Sequence, residues 1–597
     1  MKQVFILALA LGAIGSLLFS CTTDTKQTAE TSKATTLFKR TNNEVIAVNI
    51  SDVDKLNPVL SRTGYANTVH DHIFQFLEYI HPKTSELTPQ IAIAAPIIED
   101  VKDNKGESIG SRFTYEIRKE ARWPNGSPVL ASDYVFSLKT VFVPQVDAGP
   151  LRPYLKNISS VELYPDNPRK LTVSTNRKYI LSQVAISGAV AILPKYYYDP
   201  NGLLDDVAIN DLLDVEKAQD LADTNVRLQE FADHFQSAQM VQNPVGSGAY
   251  ELETWDTNQR IILKKKQNWW GEQLHSSHPF FQAKVDRITY RVIADANVAA
   301  TELKAEQVDV QAQIAPATFN ELKDNELAQR YYNFHRVPTN AVYFLYLNTQ
   351  DPKLADKRVR KALAHTLDVQ KIIQTLYDNS PTPVNGVAHP SKAYYRKDLL
   401  PVPLDIEQAK ILLAEAGWKD SDNNGIVDKT IAGEQLELEL EILISAQRDN
   451  HAQLALIFQR DAIKAGIKIT PVAKETNIMR QDLVRRAYQI TLGGTRSPSV
   501  AWDPSERFHS DSDSPNGGNY MQFRNAEADR LMDAIQTTLD QEKRYDLYRE
   551  FQALLYEEQP LIPLFVPSNN IMIHKRFDAE AYSERPGYFP ELFELNL

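Results

Sequence analysis

The sequence predicts a mixed α/β protein built as lobes that share one chain. Three observations carry this. At 597 residues the chain is too long for a single hydrophobic core. From Glu44 onward, runs with the two-residue period of strands alternate with runs of helical period. No long linker interrupts that alternation before the C terminus, so lobes threaded by repeated crossings fit better than separate beads.

The elements follow in order. Val45–Ile50 is a short β-rich run, and Phe113–Arg118 alternates apolar and polar residues as a half-buried strand. Trp123-Pro124-Asn125-Gly126 is a turn signal, after which Ser132-Asp133 opens a helix carrying Val135, Phe136, Leu138 and Val141 on one side. Leu171–Ser174 reads as a strand, and the acidic stretch Asn201–Gln239 as surface helix. Gly246–Tyr250 is a turn into the strand Tyr250–Thr254, with Arg260–Lys266 as its partner. Val285–Ile293 is a strand and Val298–Ala305 a helix. Val359, Ala362, Leu363 and Leu367 share a helical face, and Asp368 caps the next helix. Asp405 with Gln408 forms a capping box whose helix closes at Gly417. Leu436–Ile444 is β-rich, Leu531–Gln559 helical, and Leu561–Val566 a strand.

The N-terminus differs from the body. Lys2 precedes an apolar run from Val4 to Phe19, shorter than the ~20 residues a spanning helix needs. A basic start, a short apolar core and small residues at its end describe a secretory signal, residues 1–20. Leu18-Phe19-Ser20-Cys21 resembles a bacterial lipobox, with a bulky Phe19 as its departure. Cys21 is the only cysteine of the chain, which fits lipidation there and excludes disulfides and thiol catalysis in the body. Residues 21–43 are poor in apolar residues and read as a tether. A multi-chain anchor would hold the protein stably to a bacterial membrane, on the periplasmic side of the envelope.

Composition narrows the function. Apolar residues at 43% and charged residues at 24% are ordinary for a globular chain. The net charge of −12 gives no electrostatic footprint for nucleic acid. His-Glu-x-x-His and Walker A motifs are absent from the sequence, so an enzyme is not expected.

Several blocks, in order, resemble the extracellular solute-binding proteins of family 5, the dipeptide/oligopeptide type. They are Leu56-Asn57-Pro58, Phe113–Lys139, Pro244–Tyr250, Leu263–Gly271, Glu306–Asp309, Arg358–Leu363 with Asp368, Asp405–Gly417 and Asn519–Pro563. Two positions depart from the pattern: Asn125 stands for an aspartate, and Lys266-Gln267 for Asn-Pro. The resemblance implies the large, type II, cluster C form of the periplasmic-binding-protein fold, with a discontinuous first lobe. It implies lobe I over 44–295, including an extra subdomain at about 76–230, then lobe II over 296–562 and a return over 563–597. The crossings would fall near residues 295 and 562, with the ligand engulfed between the lobes. It also implies a monomer that hands a peptide to an ABC permease. A nickel complex or oligosaccharide is the alternative ligand, and a surface hydrolase or adhesin the alternative class.

For the ligand, the resemblance points to Gly493, Gly494, Thr495, Arg496, Trp502 and Asp503, and next to Asn519, Tyr520 and Tyr65. The family's amine-binding aspartate has no clean counterpart, since Arg496 or Ser497 falls there. Either Asp503 acts instead, or the ligand lacks an ammonium, or Arg496 grips a carboxylate through its guanidinium fork; the remaining alternative is an Arg496–Asp503 structural pair.

Three further groups stand out. Asp420, Asp422, Asn424 and Asp428, with Gly425, are spaced like a calcium loop lacking its last glutamate; a structural Ca²⁺ or a plain Asx-rich turn would explain them, and no other cofactor is expected. His70-Asp71-His72 and His275–His278 read as polar surface rather than metal pairs. Lys264-Lys265-Lys266 with Trp269-Trp270 reads as a strand end followed by packing aromatics.

Overall fold

The computed structural model describes residues 38–149, 151–274, 279–446, 448–496, 501–514 and 517–596. The expected signal, the expected lipidation site Cys21 and the pair His275/His278 lie outside them. The chain divides into Met1–Thr41 and Asn42–Leu597, and every element below belongs to the second. Among the described residues, no helix is long and apolar enough to cross a membrane.

Asn42–Leu597 has a two-lobed α/β fold, each lobe centred on its own sheet. The first sheet has seven strands in the spatial order Tyr332–Pro338, Ser568–His574, Val310–Gln311, Glu44–Asn49, Arg287–Val292, Arg260–Lys265 and Tyr250–Asp256. Glu44–Asn49 pairs in parallel with Arg287–Val292 on one side and with Val310 on the other. Its residues are apolar on both faces for that reason. Val45 and Ala47 enter the core shared with Phe113, Tyr115 and Leu171, while Val48 joins Leu303, Phe319 and Met572 on the opposite face. The second sheet runs Thr382–Pro383, Leu561–Val566, Ala341–Leu347, Ile490–Arg496, Glu439–Ser445 and Lys468–Lys474. The same two-residue period splits its central strand: Leu345 and Leu347 pack to one side, Val342, Phe344 and Tyr346 to the other. A smaller antiparallel sheet of Ile97–Lys102, Ser108–Glu116, Asn167–Thr175 and Ile158–Tyr164 falls inside the expected subdomain.

The helix signals resolve locally. Asp368 accepts from Lys371 N–H and Asp405 from Gln408 N–H, and Gly417 follows the second of these helices at φ +85°. Asp133 sits at the third position of its helix, Ala131–Phe142, rather than opening it; its carboxylate accepts from Leu130 N–H and Trp123 Nε1–H. The span Leu531–Gln559 is two helices, Ala526–Thr537 and Gln541–Glu558, because Asp540 caps a fresh start by accepting from Lys543 N–H.

The crossings are displaced from the expected positions. Tyr332–Pro338 pairs along its whole length with Ser568–His574, so residues 296–338 belong to the first sheet's lobe and not the second. The chain changes sheets between Pro338 and Ala341 and returns between Val566 and Ser568, rather than near 295 and 562. Thr339 N–H donates to Pro567 O at 2.9 Å and ties the two crossings together. Beside them Ser568 Oγ donates to Ser380 O, and Arg336 pairs with Asp378 at 2.9 Å.

Candidate functional site: the cleft between the two lobes

Arg496 is the last residue of the strand Ile490–Arg496 and stands in register with Ala341, near the crossing. It therefore lies at the end of the second sheet that turns toward the first lobe. Crowding by protein lowers its pKa; Arg585 lowers it further, and Glu584 opposes them. Both neighbours come from the segment that follows the return crossing. Tyr65, in the first turn of the helix Gly64–Ile73 capped by Thr63, feels the same Arg585: burial raises its hydroxyl pKa and Arg585 opposes the rise. From the second lobe Lys392 also faces Glu584; burial lowers its pKa and Glu584 counters it. Ser85 Oγ donates to Glu584 at 2.8 Å from the first-lobe side. The cleft thus gathers Arg496 and Lys392 from one lobe and Tyr65, Glu584 and Arg585 from the other, three cations against one carboxylate.

The glycines before Arg496 have a packing cause. A Cβ on Gly493 would lie 2.0 Å from the Tyr346 ring, and one on Gly494 2.9 Å from Tyr343. Thr495 is nearly buried beside them. Tyr346 in turn meets the edge of Tyr520 and accepts from Arg507 Nη1 at 2.9 Å. Tyr520 carries two guanidinium groups over its ring, Arg486 and Arg507.

Other expected contacts are placed elsewhere. Asn519 is fully buried: its Nδ2 donates to His509 O and Phe523 O, and its Oδ1 accepts from Phe523 N–H. It braces a loop and has no polar atom left for a ligand. Trp502 is buried among Phe508, Tyr548 and Phe551, held there by large aromatic faces. Asp503 is not paired with Arg496. Its carboxylate accepts from Ser505 N–H at 2.9 Å and from Tyr179 Oη at 2.9 Å. Tyr179 comes from the first lobe, and beside it Arg177 donates to Gln536 Oε1 and Ile180 N–H to Gln536 O. Ile180 packs into the second lobe's core. Asp503 is therefore part of a strap between the lobes.

Asp420, Asp422 and Asp428 do converge, with one oxygen of each within 4.8 Å of the others. The loop also spends these oxygens on itself. Asp420 accepts from Asn424 and Gly425 N–H, Asp422 from Asn424 N–H, and Asp428 from Ser421 N–H. Asn424 Oδ1 accepts from Ile426 N–H.

The histidines of His70-Asp71-His72 are not surface. His72 Nε2 lies 2.7 Å from Tyr290 Oη and its Nδ1 3.5 Å from Glu591. Burial drives His70 down to about 4 and His72 to about 3, and pushes Asp71 up to about 7 and Glu591 to about 8. At neutral pH the His72–Glu591 pair holds one proton and no net charge is stranded there.

Glu584, Arg585, Lys392 and Tyr179 carry no local motif. Only the return of the chain after Val566 brings the first two to the cleft, and the third lies in an irregular segment.

Residues 103–519 match the family model for bacterial extracellular solute-binding proteins, family 5, middle region. The oligopeptide-binding protein AppA of Bacillus subtilis is 23% identical over 589 residues, 97% of this chain and 96% of AppA. Its structure in complex with a nonapeptide aligns with a TM-score of 0.64 over 93% of this chain and 99% of that one, at 21% identity. HbpA2 of Haemophilus parasuis aligns with a TM-score of 0.71 at 18% identity, covering 93% and 100%. NikZ of Campylobacter jejuni, solved with Ni(L-His), gives 0.64 at 22% identity, covering 90% and 95%. With the two sheets, their paired crossings and a charged cleft between them, the chain belongs to the bacterial extracellular solute-binding proteins of family 5.

Proposed function

We propose that this protein captures peptides between its lobes and delivers them, as a monomer lipidated at Cys21, to an ABC permease in a bacterial membrane. The observation that carries the ligand class is the charge of the cleft. Arg496, from the second lobe, lies within electrostatic reach of Arg585 and Glu584 from the first. A ligand carboxylate entering there meets both guanidinium groups, and each can grip it through two nitrogens. Glu584 supplies an acceptor for a ligand ammonium. A zwitterionic chain therefore satisfies both signs at once, whereas a neutral sugar leaves the cations uncompensated. Because Arg496 belongs to one lobe and Arg585 to the other, the ligand's contacts are complete only when the lobes approach, and binding favours the closed state. AppA, an oligopeptide-binding protein similar over nearly the whole chain, supports the same class.

Native mass spectrometry of the protein purified from cells tests this. Retained masses that fragment as peptides are expected. A retained metal chelate or oligosaccharide, with no peptide displaceable by added pentapeptides, would replace the ligand while keeping the fold, since fold does not fix ligand.

A further inference from the structure

The subdomain meets the edge of the first sheet around a cavity of 1110 Å³, larger than the roughly 300–1,000 Å³ of common small-molecule sites. Every wall comes from residues 119–273, so the cavity is separate from the cleft. Six cations line it, Lys119, Arg122, Arg169, Lys264, Lys265 and Lys266, against Glu120 and Glu251. In a chain of net charge −12 this is a local reversal of sign.

The cations fall into two sets. Lys264 pairs with Glu251 at 3.2 Å and Lys265 with Glu272 at 2.7 Å. Lys266 turns inward, its Nζ donating to Gly246 O and Gly248 O. Trp269 and Trp270 both donate to Ser247 O, which fixes the wall behind them. Lys119, Arg122 and Arg169 have no carboxylate within ion-pair distance among the described residues. Arg122 is nonetheless held, its Nη1 donating to Ala121 O at 2.9 Å and to Lys119 O. Arg169 is held through Nη1 on Arg118 O and Val129 O at 2.8 and 3.0 Å. Each guanidinium is anchored through one nitrogen, with its remaining donors uncommitted. The two lie close enough that Arg122 lowers the pKa of Arg169, after burial, with Glu120 countering. Holding like charges together beside a large cavity costs free energy that a bound anion recovers.

We propose that this cavity binds a phosphate-bearing ligand, with Lys119, Arg122 and Arg169 as its anion contacts. A phosphate ester offers two negative charges and three acceptor oxygens to three cations, Lys119 and Arg122 from one loop and Arg169 from the strand Asn167–Thr175. A single carboxylate leaves part of that charge unmatched. Guanidinium forks anchored at one nitrogen suit a tetrahedral oxyanion. The phosphate could be free in solution or carried on a lipid headgroup, and the chemistry at the protein is the same.

Calorimetry of the full-length protein with pyrophosphate at low salt reads the first source. Sedimentation with phosphatidylglycerol vesicles against phosphatidylcholine vesicles reads the second. Lys119→Glu changes an exposed side chain with no bond to the fold and should weaken binding at least about fivefold; Arg122→Ala with Arg169→Ala, checked for folding by circular dichroism, should weaken it at least about tenfold. Pyrophosphate binding that these variants lose supports a free phosphate ligand. Selective retention on phosphatidylglycerol that they lose supports a membrane headgroup. Binding of neither probe, or binding that both variants leave intact, overturns the proposal.

Discussion

Arg576 has no exposed surface. Asp309 meets its Nε at 2.7 Å and its Nη2 at 3.0 Å, Asn42 O accepts from Nη1, and Glu44 O accepts from Nη2. Asp309 itself accepts from Ile46 N–H, so one ion pair pins the first strand, the short strand at Val310 and the C-terminal segment together. Arg496 is the opposite case: it ends a strand, reaches solvent, and feels the charge of Arg585 from the other lobe. An arginine that holds a fold is saturated by its own chain. Arg496, the proposed ligand contact, is left short of acceptors, a deficit that a ligand carboxylate would fill.

That contrast can be broken at either end. Arg576→Ala strands Asp309 in a dry site and should cost about 3–5 kcal/mol of stability, read by urea unfolding. A loss below about 1 kcal/mol would make the pair dispensable.

The next effect is on pH. Asp71 and Glu591 have folded pKa values raised above their unfolded ones, to about 7 and about 8. Between the unfolded and folded values the native state binds more protons, so stability falls as pH rises through that window. The lowered His70 and His72 act the other way, their contribution falling away below about pH 6.5 as the unfolded chain takes up protons. Unfolding free energies measured from pH 6.5 to 8.5 should therefore decline, and Glu591→Gln should flatten the decline. An undiminished slope in that variant would place the proton elsewhere.

Arg496→Ala should leave unfolding unchanged and weaken peptide binding more than tenfold, about 1.4 kcal/mol. Reduced stability with intact binding would give Arg496 the role assigned here to Arg576.

The smallest effect concerns the strap. Tyr179→Phe and Asp503→Asn should each cost about 1 kcal/mol, and the double variant little more than one of them. Full additivity in that cycle would mean the two groups do not interact.

Much of the scaffold is legible in the chain. Asp368, Asp405 and Gly417 act as the caps their types and spacing predict, because capping is settled within one turn. The crossings are less legible: residues 296–338 contain ordinary helices and strands, and only the pairing of Tyr332–Pro338 with a strand more than two hundred residues later assigns them to the first lobe. The same limit holds for the site. Arg496 is a candidate that the family resemblance names, but Glu584, Arg585 and Tyr179 reach their partners through tertiary return. Asn519 and Trp502 show the converse error. The family resemblance points to both, yet that resemblance does not distinguish a residue that braces a loop from one that meets a ligand.

The central claim is that the cleft grips a peptide carboxylate between lobes. Isothermal titration of the purified protein with a pentapeptide and with its C-terminal amide tests it most directly. Binding of the free acid is expected, with at least about tenfold weaker binding of the amide, a difference that Arg496→Ala abolishes. Equal affinity for acid and amide, or no binding of either, would contradict it.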